Sequence, residues 1–189
     1  MTTDAVRTQP DAYTTLLEDA ELELAIEELS AFILGRAQGL AEQLGFGWRP
    51  CPDAPARYDV LQQAFAHSER TGDPLPVSDE HSSSVIYTDA AVNFAMRFWH
   101  DVSHVRSGLS FQLVDELELA HVQLDELVQA GFPHGGLVWK LLYADLAGQS
   151  YLLAVSGRFP ADQRSFALRC LQLGLDRGII ATARAERPQ

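Results

Sequence analysis

Two cysteines, Cys51 and Cys170, are all that 189 residues contain, and no Cys-x-x-Cys pair occurs. That scarcity excludes a disulfide framework and a cysteine-ligated zinc site. Basic residues are few as well: 14 Lys and Arg stand against 26 Asp and Glu, for a formal net charge of −12. A surface of that sign repels phosphates, so direct nucleic-acid binding is not expected. Long apolar runs are missing too. The most apolar stretch, Leu137 to Val155, is interrupted by Lys140, Asp145 and Gln149. Such a stretch suits a buried globular helix, not a membrane span. The opening residues hold no basic stretch followed by an apolar one, so no secretory signal is read and a cytoplasmic protein is expected. Strand signals are nearly absent, with residues 84–87 the one short extended segment the pattern suggests.

What the chain does carry is helical periodicity. Apolar residues make up 47% of it, enough for one sizeable core. Leu22, Ala25, Leu29, Phe32, Ile33, Leu40 and Leu44 recur at helical spacing, with Glu18, Glu21, Glu27 and Glu28 mostly outside that stripe. The pattern predicts an amphipathic helix from Leu16 to about Leu44. A short helix is expected over 58–67, then a loop-rich connection over 68–87, most loop-like between Asp73 and Ser84. Thr88 or Asp89 can cap a helix over 90–106, and Ser110 one over 111–129. A further helix is expected over 136–155, and Pro160 opens a last one to about Asp176. The ends, 1–12 and 180–189, are expected to be mobile. The reading is an all-α, single-domain bundle of five to six helices over 1–189, with at most one short extended segment.

The segment FWHDVSHVRSG, residues 98–108, concentrates the chemistry. His100 and His104, four apart on a helix, place both imidazoles on one face, as a shared cation requires. Asn93 and Arg97 continue the same polar stripe, and Asp101 falls between it and the apolar face. On the next helix His121 takes the register of Leu113, Leu117, Leu124 and Val128, so it is expected to be buried. Glu118 precedes it in a Glu-x-x-His spacing used by carboxylate-bridged metal proteins. Glu116 points roughly 140° away from His121 on an ideal helix, which favours Glu118. Asp145 and Gln149 lie one turn apart on a helix that is apolar almost all round. A buried carboxylate there needs a cation, a histidine or a metal as partner, with His121, His104 or Arg97 the candidates. His67, His81 and His134 read as surface histidines; Trp99, Trp139 and Tyr151 read as core or rim aromatics.

These residues predict a divalent metal (Zn, Mn, Fe or Ni) held by His100, His104, His121 and Glu116, with Asp101 or Glu118 as catalytic base. Asn93, Arg97, Asp145 and Gln149 would orient the ligands. The expected chemistry is metal-assisted hydrolysis of a small-molecule substrate, or oxidation if the metal is iron. The rival is a non-enzymatic protein that binds a protein partner through its acidic helices, with structural histidines.

Asn93, Arg97-x-x-His100-Asp101-x-x-His104, Gly108-x-x-Phe111, Glu116 and the Gly148-Gln149 pair resemble a pattern in a group of uncharacterised phage and mobile-element proteins. The likeness spans residues 93–151 and implies no established activity; among the acidic residues it favours Glu116. The His100-Asp101 dipeptide is similar to that of the HD phosphohydrolases, all-helical enzymes that hydrolyse nucleotides with a metal. That likeness implies His67, His100, Asp101 and Asp145 as the ligand set.

Overall fold

The computed structural model describes residues 12–186. It is built mostly of helix: α1 (Ala12–Leu44), α2 (Tyr58–Thr71), α3 (Ala90–Ser107), α4 (Leu113–Gln129), α5 (Leu137–Tyr143), α6 (Gln149–Ser156), α7 (Gln163–Leu173) and α8 (Leu175–Ala185). A π-helical turn, Ala144–Gly148, joins α5 to α6 without a break, so the eight segments make seven rods. Two short strands, β1 (Trp48–Cys51) and β2 (Leu75–Ser78), complete the described chain.

Helix α1 follows its apolar stripe closely. Ala25, Ile26, Leu29, Ile33, Ala37 and Leu40 are buried at successive turns and pack this rod against α3 and α5. Helix α3 is central. Asp89 caps it by accepting from the Ala91 and Val92 amides at 2.8 and 3.2 Å, which satisfies two donors that the first turn leaves free. Its Val92, Ala95, Phe98, Trp99 and Val102 lie in the main core. Trp48 of β1 stacks on Phe98, with ring centroids 5.0 Å apart.

The structure corrects several expectations. Residues 84–87 form no strand; the extended backbone lies at β1 and β2, in stretches read as loop. These strands pair in parallel, Trp48 with Leu75 through Cys51 with Ser78, and α2 supplies the crossover that parallel pairing needs. Pro50 and Pro76 read as loop punctuation, yet in a two-stranded sheet both strands are edges and proline is tolerated. Rods outnumber the expected five to six because Gly174 divides the last helix. Residues 180–185 belong to α8, with Ile179 and Thr182 buried. The expected mobility of 1–11 and 187–189 lies outside the described residues. Among the described residues no helix is long and apolar enough to cross a membrane.

Candidate metal centre

Helix α3 sets His100 and His104 one turn apart, and their Nε2 atoms meet at 3.0 Å. Helix α4 begins after a short connection and brings Glu116, on its first turn, to both. The Glu116 Oε2 lies 3.3 Å from His100 Nε2, and Oε1 lies 3.4 Å from His104 Nε2. His100, His104 and Glu116 form a group whose ligand atoms all lie within 4.8 Å of one another.

The far side of each ring is anchored. His104 Nδ1–H donates to the Leu109 carbonyl at 3.0 Å, and His100 Nδ1–H donates to Gln123 Oε1 at 2.8 Å. With both Nδ1 positions committed as donors, both Nε2 atoms offer lone pairs to one point, the arrangement imidazole ligands adopt. The Leu109 carbonyl is in place because α3 ends at Gly108, whose φ of 69° turns the chain back over the helix. Phe111 then meets the His104 ring edge-on at 4.9 Å. His104 is wholly buried, whereas His100 and Glu116 keep side-chain exposures of 18% and 20%. Any approach to the group is therefore from the His100–Glu116 side.

The electrostatics follow from this crowding. Burial works against a charge on His100, yet the hydrogen bond and charge of Glu116, helped by Gln123 and Asp101, lift its pKa to about 9. Burial likewise opposes the Glu116 charge, but the two imidazoles bring its pKa down to about 2. Burial and the His100 charge hold His104 below its usual value. Without a metal the group thus keeps one proton, on His100. Asp101, half-buried, is pushed by burial to about 7, against the pull of His100 and Arg97. Asp145 is also raised by burial, although Tyr87, Gln149 and Arg97 favour its ionised form.

A metal fits these residues. Glu116, Asp101 and Asp145 act on the imidazoles and on Arg97. Against three carboxylates stands a single guanidinium, so neutral imidazoles leave two negative charges for a divalent cation to balance. Two imidazole nitrogens and a carboxylate are a donor set that zinc and iron accept.

Other residues lie elsewhere. His121 is exposed, its ring 6.2 Å from that of Tyr143, and Glu118 is exposed beside it. Leu113 and Val128, expected in the same ridge, are exposed too. Helix α4 is apolar on several sides, which left its register ambiguous; it buries Leu119, Ala120, Gln123, Leu124 and Leu127 instead. That register turns Glu116 inward and takes Glu118 and His121 out of the site. Asp145 pairs with neither His104 nor His121. It accepts from Tyr87 Oη and from Gln149 Nε2, each at 2.5 Å. Asn93 Nδ2 donates to Ser82 Oγ at 3.0 Å, and Arg97 donates to the Glu80 carbonyl at 2.6 Å. Both tie α3 to the segment before it. His67 pairs at the surface with Asp73, 2.9 Å away.

Gln123 and Tyr87 entered no sequence argument. Gln123 had a signal: seven residues after Glu116, it falls within roughly 20° of the same helix face. The Leu109 carbonyl had none, since backbone acceptors are invisible in side-chain patterns. No family model, curated protein or solved structure matches the chain.

Proposed function

We propose that His100, His104 and Glu116 hold one divalent cation, zinc first among Zn, Mn, Fe and Ni, and that the site performs metal-assisted hydrolysis. The observation that carries this reading is the pair of Nε2 atoms and two Glu116 oxygens within 3.0–3.4 Å, with both Nδ1 atoms anchored behind them. His100-Asp101-x-x-His104 also parallels the H-E-x-x-H zinc motif, with aspartate where that motif has its glutamate base. A cation bound there supplies Lewis acidity and acidifies water near neutral pH. Asp101 follows His100 directly, is half-buried and donates or accepts no hydrogen bond among the described residues, which suits the role of proton acceptor. The surface pairing of His67 with Asp73 favours this three-residue set over an HD-type one.

A second reading rests on the exposed acidic face of α1. Glu21, Glu28 and the 56%-exposed Leu24 border a cavity of about 290 Å³ with Phe132 and Leu137. A protein partner docked there would leave the histidines structural.

Elemental analysis of untagged protein separates the two. At least about 0.5 equivalents of a transition metal, and a lower Tm after chelation, support the metal site. Zinc-loaded protein that cleaves nitrophenyl esters, with the rate lost in Asp101→Asn, supports hydrolysis. Metal-free protein whose Tm ignores added zinc overturns the reading, and predominant iron redirects it from hydrolysis to oxidation.

A further inference from the structure

Gln123 is wholly buried. Its Oε1 accepts from His100 Nδ1 at 2.8 Å, yet its Nε2 is buried with no hydrogen-bond partner among the described residues. A buried amide that satisfies only one end weakens the fold relative to an apolar side chain of the same shape. Its neighbours on that face, Leu119, Ala120, Leu124 and Leu127, are all apolar. Packing alone therefore calls for leucine or methionine at this position, and the amide oxygen is the feature packing does not explain.

That oxygen has one target. A neutral imidazole carries a single proton, and whichever nitrogen holds it cannot bind a metal. Oε1 accepts and does not donate, so it draws the proton to Nδ1 and frees Nε2. His104 receives the same treatment from the Leu109 carbonyl, which is fixed by the chain turn. His100 has no backbone acceptor in reach among its hydrogen bonds and depends on a side chain.

We infer that Gln123 is the positioning residue of the metal site: its amide oxygen selects the His100 tautomer that can bind the cation, at the expense of an unpaired amide nitrogen in the core. The inference rests on the metal reading above. It predicts a separation of binding from stability, because the group that serves the metal is the group that the fold does better without.

The test is zinc affinity of the full chain, measured by competition with a chromophoric chelator, alongside Tm of the same samples freed of metal. Gln123→Met removes the acceptor and the orphaned nitrogen together while keeping length. It is expected to weaken zinc binding about 10- to 100-fold and to leave the metal-free Tm unchanged or higher. Gln123→Glu keeps an acceptor oxygen and is expected to bind zinc at least as tightly as the native protein. Native protein that binds zinc with Gln123→Met binding equally well overturns the positioning role and leaves the metal site standing. Equal losses in Gln123→Met and Gln123→Glu also overturn it. Native protein that binds no zinc overturns both.

Discussion

His104 is held from behind by Leu109: its Nδ1–H donates to the Leu109 carbonyl at 3.0 Å, across the turn made by Gly108. A ligand orientation is thereby tied to a single backbone angle. Gly108→Ala is expected to cost about 1–2 kcal/mol, because a φ of 69° burdens any side chain. It should also lower zinc affinity, since the carbonyl moves with the turn. Urea melts and zinc titrations check both; a loss of stability with affinity untouched would show that the His104 ring is oriented by packing against Phe111.

Protons and metal compete for the same lone pair, which gives the metal-free protein a definite pH profile. His100, raised to about 9, and Asp101, raised to about 7, both hold protons more tightly when folded. Their contributions are fully present below the unfolded values and are lost as pH rises, Asp101 first and His100 up to about 9. Glu116, lowered to about 2, acts oppositely, and its contribution is lost as pH falls from the ordinary carboxylate range towards 2. Metal-free Tm should therefore be highest in mildly acidic buffer and decline towards pH 9. Zinc should raise Tm most at the alkaline end, where no proton has to be displaced. A metal-free Tm that climbs between pH 6 and 9 would contradict this account.

Asp145 stands on the π-helical turn with 4% exposure and accepts from Tyr87 and Gln149. Asp145→Ala orphans both donors and removes a charge facing Arg97, so roughly 3 kcal/mol or more of stability should be lost. Glu27→Ala, on the exposed face of α1, should cost under about 0.5 kcal/mol. Equal urea midpoints for the two variants would show that the Asp145 pairings do not hold in solution.

Two replacements should do nothing to the metal. His121→Ala and Glu118→Ala alter exposed side chains on the face of α4 that turns away from Glu116. Zinc affinity within about twofold of native is expected for each, against a loss of about tenfold or more for Glu116→Gln. A strong loss in His121→Ala would mean that α4 carries a different register when metal is bound.

The helical class, the caps at Asp89 and Gly108 and the pairing of His100 with His104 were legible because each depends on local spacing. Helix α4 was not. Leu113, Leu117, His121 and Val128 make as good an apolar ridge as Leu119, Ala120, Leu124 and Leu127, and only contact with α3 decides between them. Choosing the wrong ridge brought in His121 and Glu118 and hid Gln123. The strands escaped for another reason: Trp48–Cys51 and Leu75–Ser78 are each four residues long and each contains proline, so neither shows the alternation by which strands are read.

The π-helical turn between α5 and α6 bears on how this chain tolerates changes in length. A π turn holds one residue more than an α turn, so the rods on either side differ in phase by about 100°. Leu141 and Leu142 before it and Leu152 after it reach the core because of that offset, and Asp145 and Gln149 reach each other across it. Deleting one residue among Ala144–Gly148 would restore a regular helix and swing every side chain of α6 round by that angle. Gly148 would then lose its close seat against Leu175 and Phe166, where even a Cβ would come within 3.1 and 3.2 Å. The segment is therefore a vernier in the fold, and its length is under tighter constraint than its composition.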